Sequence, residues 1–172
     1  MANEAGVDAA IISAYSMLDG WAESWGSVSS PWPASGSNWI WGSVTSDDAH
    51  KGSEAGDQGQ SEEIELFQWA PGNSYFNDRF VILYEGIARA NAAIGLLNSV
   101  EGIDATKSGQ LAGEARFLRG HFHFEAWKMW KNIPYYTEED TDFRKPNTAD
   151  VCLLYTSPSP RDATLSRMPS SA

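Results

Sequence analysis

Three stretches of the chain repeat apolar residues at helical spacing. Val7, Ile11, Ala14, Leu18, Trp21 and Trp25 step by four and three along residues 5–25, which puts them on one face of a helix. The second helix is expected over 75–99, where Phe76, Phe80, Leu83, Ile87, Ala90, Ile94 and Leu97 keep the same rhythm. Asn73 or Ser74 is the natural N-cap for it. Gly86 and Gly95 interrupt this helix, and each would weaken it unless it lets a neighbour approach closely, so close packing is expected at both.

The third helix is expected over 107–131, with Leu111, Ala115, Leu118, Phe122, Ala126 and Met129 on one face and Pro134 as its stop. Phe117, His121, Phe124 and Trp127 form a second apolar flank, so this helix should pack on both sides, against partners that include one not yet seen. The short link EGIDATK joins helices two and three as an antiparallel hairpin. Residues 26–73 form a long connection rich in Gly, Ser, Trp and Asp, and a connection of that length inside a domain is functional or carries short elements of its own. Within it NWIWGSV is expected as a brief strand or a helical turn.

Composition adds limits. A hydrophobic share of 42% with eight Trp indicates a folded chain, and a net charge of −11 repels phosphate backbones and anionic lipid surfaces. Nucleic acid is thus not an expected partner. No apolar run is read as approaching the roughly 20 residues that cross a bilayer, and the N-terminus lacks the basic start and apolar stretch of a secretory signal. The single cysteine, Cys152, leaves residues 1–151 without a disulfide, a thiolate nucleophile or a cysteine metal site.

Residues 152–172, CLLYTSPSPRDATLSRMPSSA, have no helical or strand period. Cys-Leu-Leu-Tyr-Thr-Ser is a translation of the transposase mosaic end used in sequencing libraries, and Pro-Ser-Pro-Arg-Asp translates the adapter that follows it. Ala163, Thr164 and Leu165 stand where a sample index would, after which Ser-Arg-Met-Pro-Ser-Ser-Ala resumes the adapter in the same frame. The reading is that 152–172 is a non-native, disordered tail, that 1–151 is the N-terminal part of a domain, and that the natural protein is longer. A truncated domain with a doubly apolar third helix should expose a large patch and aggregate easily.

Four stretches resemble the SusD/RagB family: NWIWGSVTSDDAHKGS, LYEGIARANAAIGLL, GEARFLRGHFHFEAWKMWKNIPYY and DFRKPNTAD. The resemblance implies an all-α scaffold of tetratricopeptide-type helix pairs with long loops, truncated in this chain. It also implies a glycan-binding lipoprotein at the cell surface of a Gram-negative outer membrane, held by a lipid anchor on an N-terminal cysteine that this chain lacks. The implied partners are a glycan and a SusC-like TonB-dependent transporter; separately, no cofactor is expected. The alternative is a tetratricopeptide-like adaptor for protein–protein interaction.

Glycan binding needs flat aromatic faces against sugar C–H surfaces, with amides or carboxylates for the hydroxyls. Trp32, Trp39, Trp41 and Trp69 supply the first kind, and Asn38, Asn73 and Asp47 the second. The expected ligand-binding set is Asn38, Trp39, Trp41, Asp47, Trp69 and Asn73; the competing use of these residues is a small core for the loop itself. Asp47, Asp48, Glu54 and Asp57 concentrate oxygens, but their spacing does not fit an EF-hand loop, and capping of the Ser-Asp-Asp turn is the better reading. His121 and His123 leave a helix on opposite sides and cannot share a metal; His121 is expected among aromatics, and His123 at a contact or in water. Carboxylate pairs such as Glu114 with Glu125, or the run at 138–140, arise by chance in so acidic a chain, so no metal or catalytic residue is expected.

Overall fold

The computed structural model describes residues 3–19, 39–52 and 54–147. Trp21, Trp25, Trp32, Asn38 and residues 152–172 lie outside them. Helix α1 spans Glu4–Tyr15, α2 Gly59–Glu65, α3 Ser74–Ser99 and α4 Ala105–Trp130. A 3₁₀ turn, Ser16–Asp19, follows α1, and a π turn, Trp39–Val44, lies between α1 and α2. Among the described residues there is no strand, and the fold class is all-α.

Side chains set the starts of the helices. The Asn3 side chain accepts from the Gly6 N–H at 2.9 Å, and the Asp104 side chain accepts from Thr106 and Lys107 at 2.9 and 3.2 Å. These two donors hold the Asp104 carboxyl below its ordinary range. Because Asn73 and Asp104 take up the first orphan N–H groups, α3 and α4 each begin slightly before the range that apolar periodicity marks. The α-helix predicted over 5–25 is shorter than expected and tightens after Tyr15. There Arg89 donates to the Ser13 carbonyl and to Ser16 Oγ, both at 3.2 Å, while Ser16 Oγ donates to Ser13 O at 2.8 Å. That carbonyl serves side chains, so the regular ladder closes into 3₁₀ form. Met17 is buried as a result, and Leu18, placed on the core face by its spacing, is exposed.

Helices α3 and α4 form the antiparallel hairpin that the short link foretells, and α1 packs across both. One half of the core joins Met17, Ile82, Leu83, Ile87, Leu118 and Phe122, and the other joins Val7, Ile11, Ile94, Leu97 and Leu111. Gly86 faces the Phe122 ring directly, as close packing requires, whereas Gly95 faces open space. The expectation for Gly95 is therefore wrong, since that side of α3 has no neighbour against it. On the second flank of α4 Phe117 and Phe124 are exposed, and Phe124 stacks on Trp127 of its own helix with ring centroids 6.0 Å apart.

Helix α3 is long enough and apolar enough, by length and composition, to cross a membrane. This corrects the expectation that no run approaches that length. Ile82, Leu83, Ile87, Ala90, Ile94 and Leu97 belong to the two core halves shared with α1 and α4, so the apolarity is that of a central core helix. The same helix buries Arg79, which meets Glu125 of α4 at 3.2 Å, and Lys128 reaches the other carboxylate oxygen at 2.6 Å.

After Lys131, whose positive φ of 56° ends α4, the chain runs back along the hairpin as a strap. Tyr84 donates its hydroxyl to Pro134 O at 2.8 Å, and Asn91 donates to Tyr136 O at 3.2 Å. His123, expected at a contact or in water, is fully buried and makes such a contact. Its Nδ1 lies 3.0 Å from Arg119 O, and its Nε2 accepts from the Tyr136 N–H at 3.3 Å. Burial lowers its pKa to about 4.

Candidate functional site

The third part of the core, Ile40, Ile64 and Tyr75, holds the π turn, α2 and the start of α3 together. Around it the chain folds a corner. Phe67 takes a positive φ of 55° and ends α2, with its N–H donating to Ile64 O at 3.1 Å and Gln68 N–H donating to Glu63 O at 2.8 Å. A turn closed by Asn73 N–H to Ala70 O at 3.0 Å then leads into α3.

Asn73 locks that corner. Its Oδ1 accepts from the Tyr75 N–H at 3.1 Å, and its amide donates to Gln60 O and to Glu63 Oε2, both at 2.9 Å. The side chain is buried, and both N–H groups of its amide are engaged as well as its oxygen. Of the expected ligand-binding set, Asn73 thus serves as the brace of the site.

The corner places four aromatic rings in one continuous row. Trp41 packs on Phe76 with centroids 5.4 Å apart, Phe76 meets Trp69 edge-on at 5.6 Å, and Trp69 meets Phe67 at 5.8 Å. Trp69 is 44% exposed and Phe67 is 65% exposed, so half of the row faces solvent while Trp41 and Phe76 root it on the core. Such an exposed and braced aromatic face stacks on flat apolar surfaces without having to be ordered first.

Trp41 and Trp69 belong to the expected ligand-binding set, and their ring partners Phe76 and Phe67 do not. Phe76 carries the period of α3 and reads as helical core, but it lies at the first turn, beside the corner. Phe67 is signalled only by its alternation with Trp69 across Gln68. Trp39 belongs to the same π turn but lines a different surface, a cleft with Lys51, Asp57 and Tyr75. Asp47 is exposed in the turn after Val44 and does not join the aromatic row. In that turn the Ser46 hydroxyl accepts from the Asp48 N–H at 3.3 Å and donates to Ser43 O at 3.0 Å. The acidic loop is anchored by Glu65, which bonds the His50 ring and accepts the Lys51 N–H at 3.0 Å, and these contacts lower its pKa. Among the described residues no group of three or more His, Cys, Asp or Glu could hold a metal ion.

A family model described as SusD-like, starch-binding and associating with the outer membrane, matches residues 13–156. No curated protein and no solved structure matches the chain.

Proposed function

The chain belongs to the SusD-like family of starch-binding proteins that associate with the outer membrane, and we propose that it serves there as a non-catalytic, glycan-binding subunit at the cell surface of a Gram-negative bacterium. In this reading it captures oligosaccharide and hands it to a SusC-like TonB-dependent transporter, while a lipid anchor holds it to the membrane. The observation that carries the reading is the row Trp41, Phe76, Trp69 and Phe67, two of whose members are exposed on a braced corner. The negative charge of the chain supports a neutral ligand over an anionic one.

Electrophoresis of the full chain through gels with and without amylopectin tests the binding. Retardation by amylopectin is expected, together with its loss in Trp69→Ala and Phe67→Ala variants that keep the wild-type melting temperature. Equal migration of the wild-type chain in both gels would remove the basis of the proposal. Copurification of a TonB-dependent transporter with the chain from outer membranes tests the partner.

A further inference from the structure

The wall that carries the aromatic row has a second face. Trp39 and Trp41 are two apart in the π turn, and residues so spaced leave a helical turn on nearly opposite sides. Trp41 goes to the row and Trp39 to the cleft. Consecutive residues of α3 divide in the same way, Phe76 to the row and Tyr75 to the cleft. The cleft measures about 340 Å³, at the small end of the roughly 300–1,000 Å³ that small-ligand sites span.

Its lining is polar in a particular way. Ser61 is 2% exposed, and its hydroxyl oxygen is buried without a hydrogen-bond partner. An unmet hydroxyl of this kind is costly in a folded protein and is rarely kept without a use. The Tyr75 hydroxyl donates to Gln58 Oε1, which leaves the phenol oxygen as an acceptor and the Gln58 amide nitrogen as a donor. Gln58 itself is held in the left-handed region at φ 50° and ψ 45°, a conformation unfavourable for a side chain of this type. Asp57 and Lys51, whose Nζ donates to Asp57 O, line it with opposite charges, and Trp39, 36% exposed, lines it beside Ile40.

A ligand that uses this set must donate and accept hydrogen bonds at close spacing, carry an apolar face and need no net charge. A sugar ring meets all three conditions. We infer that the cleft is a second carbohydrate subsite, which holds a single sugar ring against Trp39 with its hydroxyls on Ser61, Gln58, Tyr75 and Asp57. This rests on the glycan reading of the aromatic row and adds to it a separate binding point on the opposite side of the same wall. One chain would then grip a glycan at two places. The wall between them is the core of Ile40, Ile64 and Tyr75, so the two points keep a fixed separation.

The test is titration of the full, isotopically labelled chain with maltose and with maltoheptaose, followed by two-dimensional amide and indole NMR. The expected result is that maltose shifts the Trp39 indole signal and the amides of Gln58, Ser61 and Tyr75. Ser61→Ala and Trp39→Ala should each weaken the maltose affinity read from those signals by fivefold or more, with folding confirmed by near-UV circular dichroism. If maltose and maltoheptaose shift only Trp41, Trp69 and Phe67, the cleft is not a sugar site and the inference falls while the proposed function stands. If neither sugar shifts either set, both readings fall together.

Discussion

A Cβ added to Gly86 would stand 2.7 Å from the ring of Phe122, so the side chain of α4 occupies the space that any other residue of α3 would need. This contact sets how closely the two central helices approach. Gly95, nine residues on in the same helix, has nothing within 4 Å of that position. The two glycines therefore predict opposite outcomes for one substitution. Gly86→Ala should destabilise the chain by roughly 1–3 kcal/mol through overpacking, whereas Gly95→Ala should stabilise it by up to about 1 kcal/mol through helix propensity. Melting temperatures of the two variants decide the matter, and a stabilised Gly86→Ala chain would show that Phe122 yields easily.

The contrast shows what was legible in the sequence. Periodicity identifies the core of α3 and α4 because a helix buried against one partner repeats its apolar residues whatever that partner is. It does not identify what stands opposite a given turn, so Gly86 and Gly95 read alike. Phe80 also reads as core, yet it is partly exposed beside Tyr84 and Trp130. The candidate site was legible by residue type at Trp41 and Trp69, but its arrangement was not. The row joins residues 41, 67, 69 and 76, and the cleft joins residues 39, 40, 51, 57, 58, 61 and 75. Those groupings follow from the corner that Asn73 braces, a tertiary contact with no local period.

The buried pair Arg79–Glu125 supplies a second prediction. Both side chains are almost wholly buried, and burial lowers the pKa of the arginine against the opposing pull of Glu125. Removing one member leaves the other charge buried with less compensation, which costs roughly 3–5 kcal/mol. Arg79→Met should be destabilising on that scale in urea unfolding. Arg79→Met with Glu125→Leu should recover a large part of the loss, because the double replacement buries no charge. A double variant no more stable than Arg79→Met would count against this account.

His123 makes stability depend on pH. Its folded pKa is about 4, lowered by burial, against an unfolded value of about 6.5. The unfolded chain therefore binds this proton more readily than the folded one. The contribution is fully present above about pH 6.5 and is lost as pH falls toward 4. Protonation also removes the acceptor for the Tyr136 N–H, which releases the strap. Between pH 7 and pH 4.5 the loss from this group should be roughly 2–3 kcal/mol. Urea unfolding of wild type and His123→Gln at both values isolates it, since the carboxylates titrate in both chains. An equal loss in the two chains would exclude His123 as the source.

Asn73 offers the sharpest link between fold and site. At an ordinary N-cap Asn and Asp are nearly interchangeable, because either side chain can accept the orphan N–H. Here the Asn73 amide also donates to Gln60 O and to the Glu63 carboxylate at 2.9 Å. Asn73→Asp keeps the cap, loses both donated bonds and sets two carboxylates against each other. Asn73→Ala loses the cap and both bonds without adding charge, at about 2–3 kcal/mol. Asn73→Asp should therefore destabilise the chain comparably, despite its excellence as a cap elsewhere. Since the bonds hold α2 to the start of α3, both variants should also loosen the Trp69–Phe76 contact and change the tryptophan fluorescence of the native state. A neutral Asn73→Asp substitution would mean that capping alone explains this residue and that the aromatic row does not depend on its amide.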